Sequence, residues 1–475
     1  MIIYFALLLA AAVASGLLGV WHFRDRAYRR FFRYDRRREQ SFDFEQSAAI
    51  QMNVEVSLGG FIWPDTPKCD TGFLEINLSA RGLGHSAEPS IEIRSRDFQA
   101  RQYFERGARG TRYLNLGAIL AEPPTAGQGV SLQAHGVSWP LQQARLLLFD
   151  NTLSASETAL VIAPHPDDAE IAAFGLYSRF HSTVVTITDG ALGSFYLDEL
   201  PATDPRGSEI TARIRAWDSI TAPFFGNVPP ERAINLGYPD ASLEAMFSAP
   251  ETSSPLADGS AHRLRAIRAL NLSPLLEDLA ADGSWRGLVM DLIRILEKVK
   301  PSLIVIPHPL LDDHPDHAFS AVAVCAAVRQ AGLTNGRLLL YTNHSPHSNL
   351  HPVGQNDGTV SLPPHFGEPL QFGDIWSLAL TPDQQRAKLL AIEAHHDLRA
   401  LPSLQPASLA KVCRTFLAGL RNLVTGLDAH VTGYFRRAVR PNEIFFTARF
   451  EDASQLSAQF LEQWKAGKLK WHVFK

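Results

Sequence analysis

Cysteine is almost missing from this chain. Cys69, Cys325 and Cys413 are the only three in 475 residues, odd in number and widely spaced. That excludes a disulfide framework and a thiolate zinc site, and it suits a reducing compartment. Net charge is scarce too. A balance of −4 argues against nucleic acid as the main partner. No internal repeat and no long low-complexity tract breaks the chain. A composition with 45% hydrophobic and 20% charged residues is that of a globular protein, and the length leaves room for two or three domains.

Charge is wholly absent from Ile2 to Trp21. About 20 apolar residues suffice to span a bilayer, so a transmembrane anchor is predicted over residues 1–22. A basic juxtamembrane segment, residues 23–44, follows with Arg24, Arg26, Arg29, Arg30, Arg33, Arg36, Arg37 and Arg38. By the positive-inside rule this flank stays cytoplasmic. The expected protein is then single-pass in the inner membrane, with its body facing the cytoplasm. The arginines either set topology alone or also hold anionic headgroups. A cleaved signal peptide is the rival reading, but the charge lies on the wrong side of the apolar stretch.

Residues 45–150 read as short strands between Gly, Pro and Ser turns. Phe73–Leu78 and Ser90–Arg94 alternate apolar and polar. This pattern predicts a β-rich, sandwich-like accessory domain, which binds glycan, docks at the membrane or simply packs on its neighbour. Residues 250–261 read as a loop, and Thr381-Pro382-Asp383-Gln384 as a capping box opening a late helix.

Two acidic-histidine clusters carry the chemistry. Ala159–Ala163 is an apolar run typical of a buried parallel strand. Pro164 ends it, and His165-Pro166-Asp167-Asp168-Ala169-Glu170 follows into a helix with acids in its first turn. The run Leu303–Ile306 similarly leads to Asp313-His314-Pro315-Asp316-His317 and an Ala/Val-rich helix. Both clusters fall at strand carboxyl ends, where open α/β sheets place ligand crevices. His165, Asp168 and His317 form a three-ligand metal set that leaves one position for water. Asp167 is placed to take a proton from that water. His314 is placed to donate to the oxyanion or the leaving amine, with Asp316 orienting it. This is a kit for zinc-assisted amide hydrolysis, though iron or cobalt also suits such ligands. Glu170 is either a partner behind the metal ligands or a favourable charge at a helix start. His344, His347 and His351 either line a pocket or sit in a solvated loop. His308 reads as a neutral strand-end residue, and His395 and His396 as a helix-surface pair.

These residues resemble the PIG-L/LmbE-like family of de-N-acetylases, whose pattern is His-Pro-Asp-Asp/Glu-x-Glu followed at a distance by His-x-Asp-His. The resemblance covers roughly residues 157–450. Weaker features fall in family order: Thr188-Asp189-Gly190, Arg215 with Asp218, Leu236 to Asp240, Lys388 with His395, and Glu443 to Phe446. Asp218 stands where the family usually has Glu, and residues 241–285 read as an insertion. The resemblance implies a Rossmann-like domain over 155–450 with a mainly parallel sheet, followed by a tail at 451–475. It implies zinc on His165, Asp168 and His317, Asp167 as general base, and removal of acetyl from an N-acetylglucosamine-type sugar. Arg215 and Asp240 are candidate substrate contacts, Arg215 being equally readable as a solvated helix-face residue. The anchor suggests a glycolipid or lipopolysaccharide precursor as substrate. An amidase acting on another acylated small molecule and a non-catalytic glycan-binding membrane protein are the alternative readings.

Overall fold

The computed structural model describes residues 2–45, 47–154, 156–192, 207–251, 260–277, 279, 282–366, 370, 372–398, 434–469 and 471–472, with isolated positions at 413, 416, 417 and 419. Most of the stretch read as a loop at 250–261 lies outside these residues. The chain opens with helix α1 (Ile2–Arg29). Strands β1 (Ile50–Val56), β2 (Gly60–Ile62), β3 (Thr71–Ala80), β4 (Ser90–Ser95), β5 (Phe98–Tyr103), β6 (Arg109–Asn115), β7 (Gly129–His135), β8 (Val137–Ser138) and β9 (Gln142–Phe149) come next. They form two antiparallel sheets. One is ordered β1-β9-β3-β6 with β8 on β3, the other β2-β7-β4-β5.

The period of two decides what each face touches. Leu74, Ile76, Leu146 and Leu148 point into the core shared with Ile91, Ile93 and Leu132 of the second sheet. Their neighbours Phe73, Leu147 and Phe149 point the other way, into the core of the α/β part. The central accessory strands are therefore apolar on both faces. Phe42 and Phe44 wedge into this junction, with ring centres 6.0 Å from Phe446 and 5.6 Å from Phe372 respectively. Phe44→Ala is expected to cost about 3–5 kcal/mol of stability, read as a lowered denaturation midpoint. A loss well under 1 kcal/mol would mean the junction repacks without this ring.

The second body is one seven-stranded sheet. Its strands are β10 (Thr158–Ala163), β11 (His181–Thr188), β12 (Ala233–Tyr238), β13 (Leu303–Pro307), β14 (Arg337–Tyr341), β15 (Ile375–Ala379) and β16 (Asn442–Arg449). The order is β12-β11-β10-β13-β14-β16-β15. The helices are α2 (Asp168–Tyr177), α3 (Gly207–Thr221), α4 (Leu243–Ser248), α5 (Ser260–Arg268), α6 (Trp285–Val299), α7 (Pro315–Gln330) and α8 (Pro382–Ala394). Leu160, Ile162, Ile304 and Ile306 meet α6 and α7 on one face. Ala159, Val161, Leu303 and Val305 meet α2 and α8 on the other. Burial on both faces is why these strands read as continuous apolar runs. Helix α8 opens on the capping box read from the sequence, with Thr381 and Gln384 exchanging bonds. The final helix, Ala453–Lys465, packs Leu456 and Phe460 into the same core instead of forming a tail.

The chain leaves β10 toward β11 and β12, then crosses back to β13 on the other side of β10. That reversal opens a crevice beyond the carboxyl ends of β10 and β13. His165 and His317 follow those two strands.

The sheet and the anchor are corrected. Across the three sheets the pairing is mostly antiparallel, and parallel pairing is confined to β10–β14 of the mixed sheet. The reason is that β16 returns against β14 and carries β15 with it, both antiparallel. Next, no helix among the described residues is long and apolar enough to cross a membrane. The transmembrane anchor at 1–22 is overturned by this finding. The single-pass, inner-membrane location falls with it, and the glycolipid substrate loses the argument that suggested it. Part of the basic run and the aromatics within it meet the rest of the protein. Tyr28 is fully buried with Phe32 and Leu350, and Asp25 pairs with Arg29 and Arg36. Arg33 bonds Asp313 at 3.2 Å, and the carbonyls of Arg36 and Arg38 accept from Arg112.

Candidate metal centre

Local chain geometry gathers the donors. Pro164 ends β10, and its carbonyl accepts from both the amide and the hydroxyl of Thr188. The turn then holds Asp167 at φ 123°, a conformation that non-glycine residues rarely adopt. The His165 amide donates to Asp168 Oδ2 at 2.9 Å. Helix α7 begins with His314 as its cap, its Nδ1 accepting from the Asp316 amide at 3.2 Å. His317 sits in the first turn.

Three atoms converge. His165 Nδ1 lies 3.2 Å from His317 Nε2 and 3.3 Å from Asp168 Oδ2. His317 Nε2 lies 3.1 Å from the same oxygen. The second nitrogen of each ring is also spoken for. His317 Nδ1 faces Asp312 Oδ1 at 3.0 Å. His165 Nε2 faces Asp240 Oδ1 at 3.2 Å and Asp316 Oδ2 at 3.3 Å. Each ring therefore gives its proton to an outer carboxylate and turns a lone pair inward, the arrangement that carboxylates impose on metal-binding histidines. In that tautomer two ring lone pairs and a carboxylate oxygen face one another, a set that a cation can satisfy. Corners of a tetrahedron with zinc-like bond lengths lie about 3.3 Å apart, so the donor set fits a small divalent ion.

The surrounding charge pulls the same way. Burial disfavours a charged His317, yet Asp168 and Asp312 raise its pKa to about 9. His165 is raised well above the ordinary imidazole value despite its burial, by Asp168, Asp240 and Asp316. A divalent ion competes with protons for these lone pairs. Burial pushes the Asp167 carboxyl up to about 7, against the pull of Arg215 and with the push of Asp168. Burial, with the His165, His317 and His344 rings close by, holds His314 well below its ordinary value and so neutral.

His165, Asp167, Asp168, His314, Asp316 and His317 stand together at this site, though some do different work than expected. The Asp316 carboxylate is turned to His165 and to the Ala241 and Leu243 amides; only its backbone meets the His314 ring. Asp240 backs His165 and accepts from the Leu192 amide at 2.9 Å. Arg215 is not a solvated side chain. It donates to Asp167 Oδ2 at 3.1 Å, to Pro166 O at 2.9 Å and to Gly190 O at 2.7 Å. Gly190 is required there: at φ 62° a Cβ would fall 2.7 Å from Pro166 and 2.8 Å from Arg215. Glu170 accepts from Tyr177 and lies 3.1 Å from His395. His395 is fully buried, which corrects its reading as a helix-surface residue. His308 is buried and driven down to about 3 by that burial, so it is neutral as expected.

Asp312 and Asn343 were not read from the sequence. Asn343 donates to Asp168 Oδ1 at 2.7 Å, and its amide donates to Asp312 Oδ2 at 2.7 Å. Asn343 follows β14 and lies outside both motifs. The only hint was its position at the end of a strand. Asp312→Ala is expected to weaken metal binding by about 10–100-fold, measured by competition with a chelating dye. Unchanged affinity would mean that Asp312 does not orient His317.

The class is thus an α/β domain with a His/Asp cluster suited to a divalent metal at a sheet switch point. Residues 160–328 match the family model described as PIG-L, GlcNAc-PI de-N-acetylase. That stretch carries the likeness to the PIG-L family; the accessory sheets and everything from β14 onward lie outside the match. No curated protein matches the chain. Among solved structures, the 4-carboxy-2-hydroxymuconate hydratase GalB from Pseudomonas putida KT2440 is 12% identical, covering 62% of this chain and 95% of its own, with a TM-score of 0.30. A family two carbohydrate esterase from Cellvibrio japonicus is 11% identical, covering 63% and 90%, with a TM-score of 0.14. Scores this low carry no argument about fold or substrate.

Proposed function

We propose that this protein is a zinc-dependent hydrolase that removes the acetyl group from an N-acetylglucosamine-type sugar. The observation that carries the reading is the convergence of His165 Nδ1, His317 Nε2 and Asp168 Oδ2 beside Asp167, in a domain that carries the likeness to the PIG-L family. His165, Asp168 and His317 would hold the cation, which when bound supplies Lewis acidity to the acetamide carbonyl and acidifies water. The chain's own residues do the rest. Asp167 accepts the proton of the attacking water, its carboxylate held by Arg215. Neutral His314, with Nδ1 spent on the Asp316 amide, keeps its proton on Nε2 and donates it toward the developing oxyanion. Asp167 then returns its proton to the departing amine. Water adds to the carbonyl carbon, the C–N bond breaks, and acetate and a free amino sugar leave.

The test is acetate release from N-acetylglucosamine oligosaccharides by the full chain, with chelator and with zinc restored. Release that chelator abolishes and zinc restores is the expected result. Chelator-resistant release would remove the metal from the reading. No release from zinc-loaded, folded protein would remove the sugar and point to another acyl substrate.

A further inference from the structure

A second group of acceptors lies beyond Arg215. Helix α3 supplies Asp218, and the turn after α8 supplies His395 and Asp397. One ligand atom from each lies within 4.8 Å of the other two. Asp218 and His395 are almost wholly buried, and Asp397 is 9% exposed.

The hydrogen bonds around them leave acceptors over. His395 Nε2 faces Glu170 Oε2 at 3.1 Å, so the ring proton belongs there and Nδ1 keeps a lone pair. His395 Nδ1 is buried with no hydrogen-bond partner, and so is Asp397 Oδ1. The other Asp397 oxygen lies 2.7 Å from Arg215 Nε. Asp218 accepts from the His396 amide at 2.7 Å and faces the His396 ring at 2.6 Å. Buried acceptors without donors are costly, commonly about 1–3 kcal/mol each. The carboxylates of Asp167, Glu170, Asp218 and Asp397 also outnumber the single Arg215 guanidinium among them. A divalent ion answers both problems. One imidazole nitrogen and two carboxylates suit a first-row transition metal or zinc.

We propose that Asp218, His395 and Asp397 form a second divalent-cation site. It shares no ligand with His165, Asp168 and His317, and it does not rest on the de-N-acetylase reading. Arg215 links it to the first site by bridging Asp397 and Asp167. Occupancy therefore stabilises the Asp397 carboxylate independently of Arg215 and leaves that guanidinium to Asp167.

The test titrates metal-free full-length protein with Co²⁺ and counts bound metal by mass spectrometry. Two equivalents are expected for the wild type and one for Asp397→Asn. The double variant His165→Gln, His317→Gln is expected to keep one equivalent, which separates the second site from failure of the first. A double variant that binds no metal overturns the proposal, as does a wild-type stoichiometry that Asp397→Asn leaves unchanged. Anomalous scattering from Co²⁺-soaked wild-type crystals decides the case if Asp397→Asn does not fold. A peak between Asp218, His395 and Asp397 supports the site, and water there overturns it.

Discussion

Asp167→Asn is expected to lower kcat by about 10²–10⁴-fold, some 3–5 kcal/mol of barrier, with bound metal unchanged. The amide keeps the size of the carboxylate and loses the proton-accepting oxygen. Asp167 contributes no atom to the converging donor set, so metal content separates its role from that of Asp168. A matched loss of metal in Asp167→Asn would instead make it a structural support. The same carboxylate sets the pH dependence. Its acid form is inactive as a base, so kcat/KM falls as pH drops through its pKa and levels off above it. Burial places that pKa at about 7 without metal, and a neighbouring divalent ion draws it lower. The expected midpoint of the acid limb is therefore below 7. Rate that rises toward acid pH would rule out Asp167 as the base.

His317→Ala is expected to abolish acetate release and the one equivalent of metal assigned to His165, Asp168 and His317. His317 is fully buried, and its loss leaves Asp168 and Asp312 as uncompensated buried carboxylates, beyond removing one ligand of three. Breaking a buried charge pair typically costs about 3–5 kcal/mol, so the unfolding midpoint should fall as well. His317→Gln keeps a polar side chain and separates the two effects, because it should restore much of the stability without the metal. Two equivalents still bound in both variants would place the first ion elsewhere in the cluster.

The His165-Pro166-Asp167-Asp168 turn and the His314-Pro315-Asp316-His317 cap were legible because each follows a short apolar strand and opens a helix. Strand, proline and helix start are local signals. The Thr381 capping box was legible for the same reason. Asp312 and Asn343 were not, since their value lies in which carboxylate and which ring they reach across β13 and β14. His395 looked like a surface residue because a helix carries no mark of what covers it. The packing of α8 against α2 brings His395 to Glu170, and that contact is 225 positions apart in sequence. Ile2–Trp21 misled for a related reason. Absence of charge was the signal read, whereas no helix among the described residues is long and apolar enough to cross a membrane; Tyr28, Arg33 and Arg36 beyond it are engaged by groups that arrive from residue 106 onward.

The sequence by itself determined the two His/Asp motifs and the strand ends that carry them, because these depend on neighbours a few residues apart. Only the tertiary structure decided that Asp316 and Asp240 serve His165, that Arg215 holds Asp167, and that the arginine run folds back onto the body. Those choices come from pairings between charges far apart in the chain, which become short distances only after the sheet crosses over at β10 and buries them together.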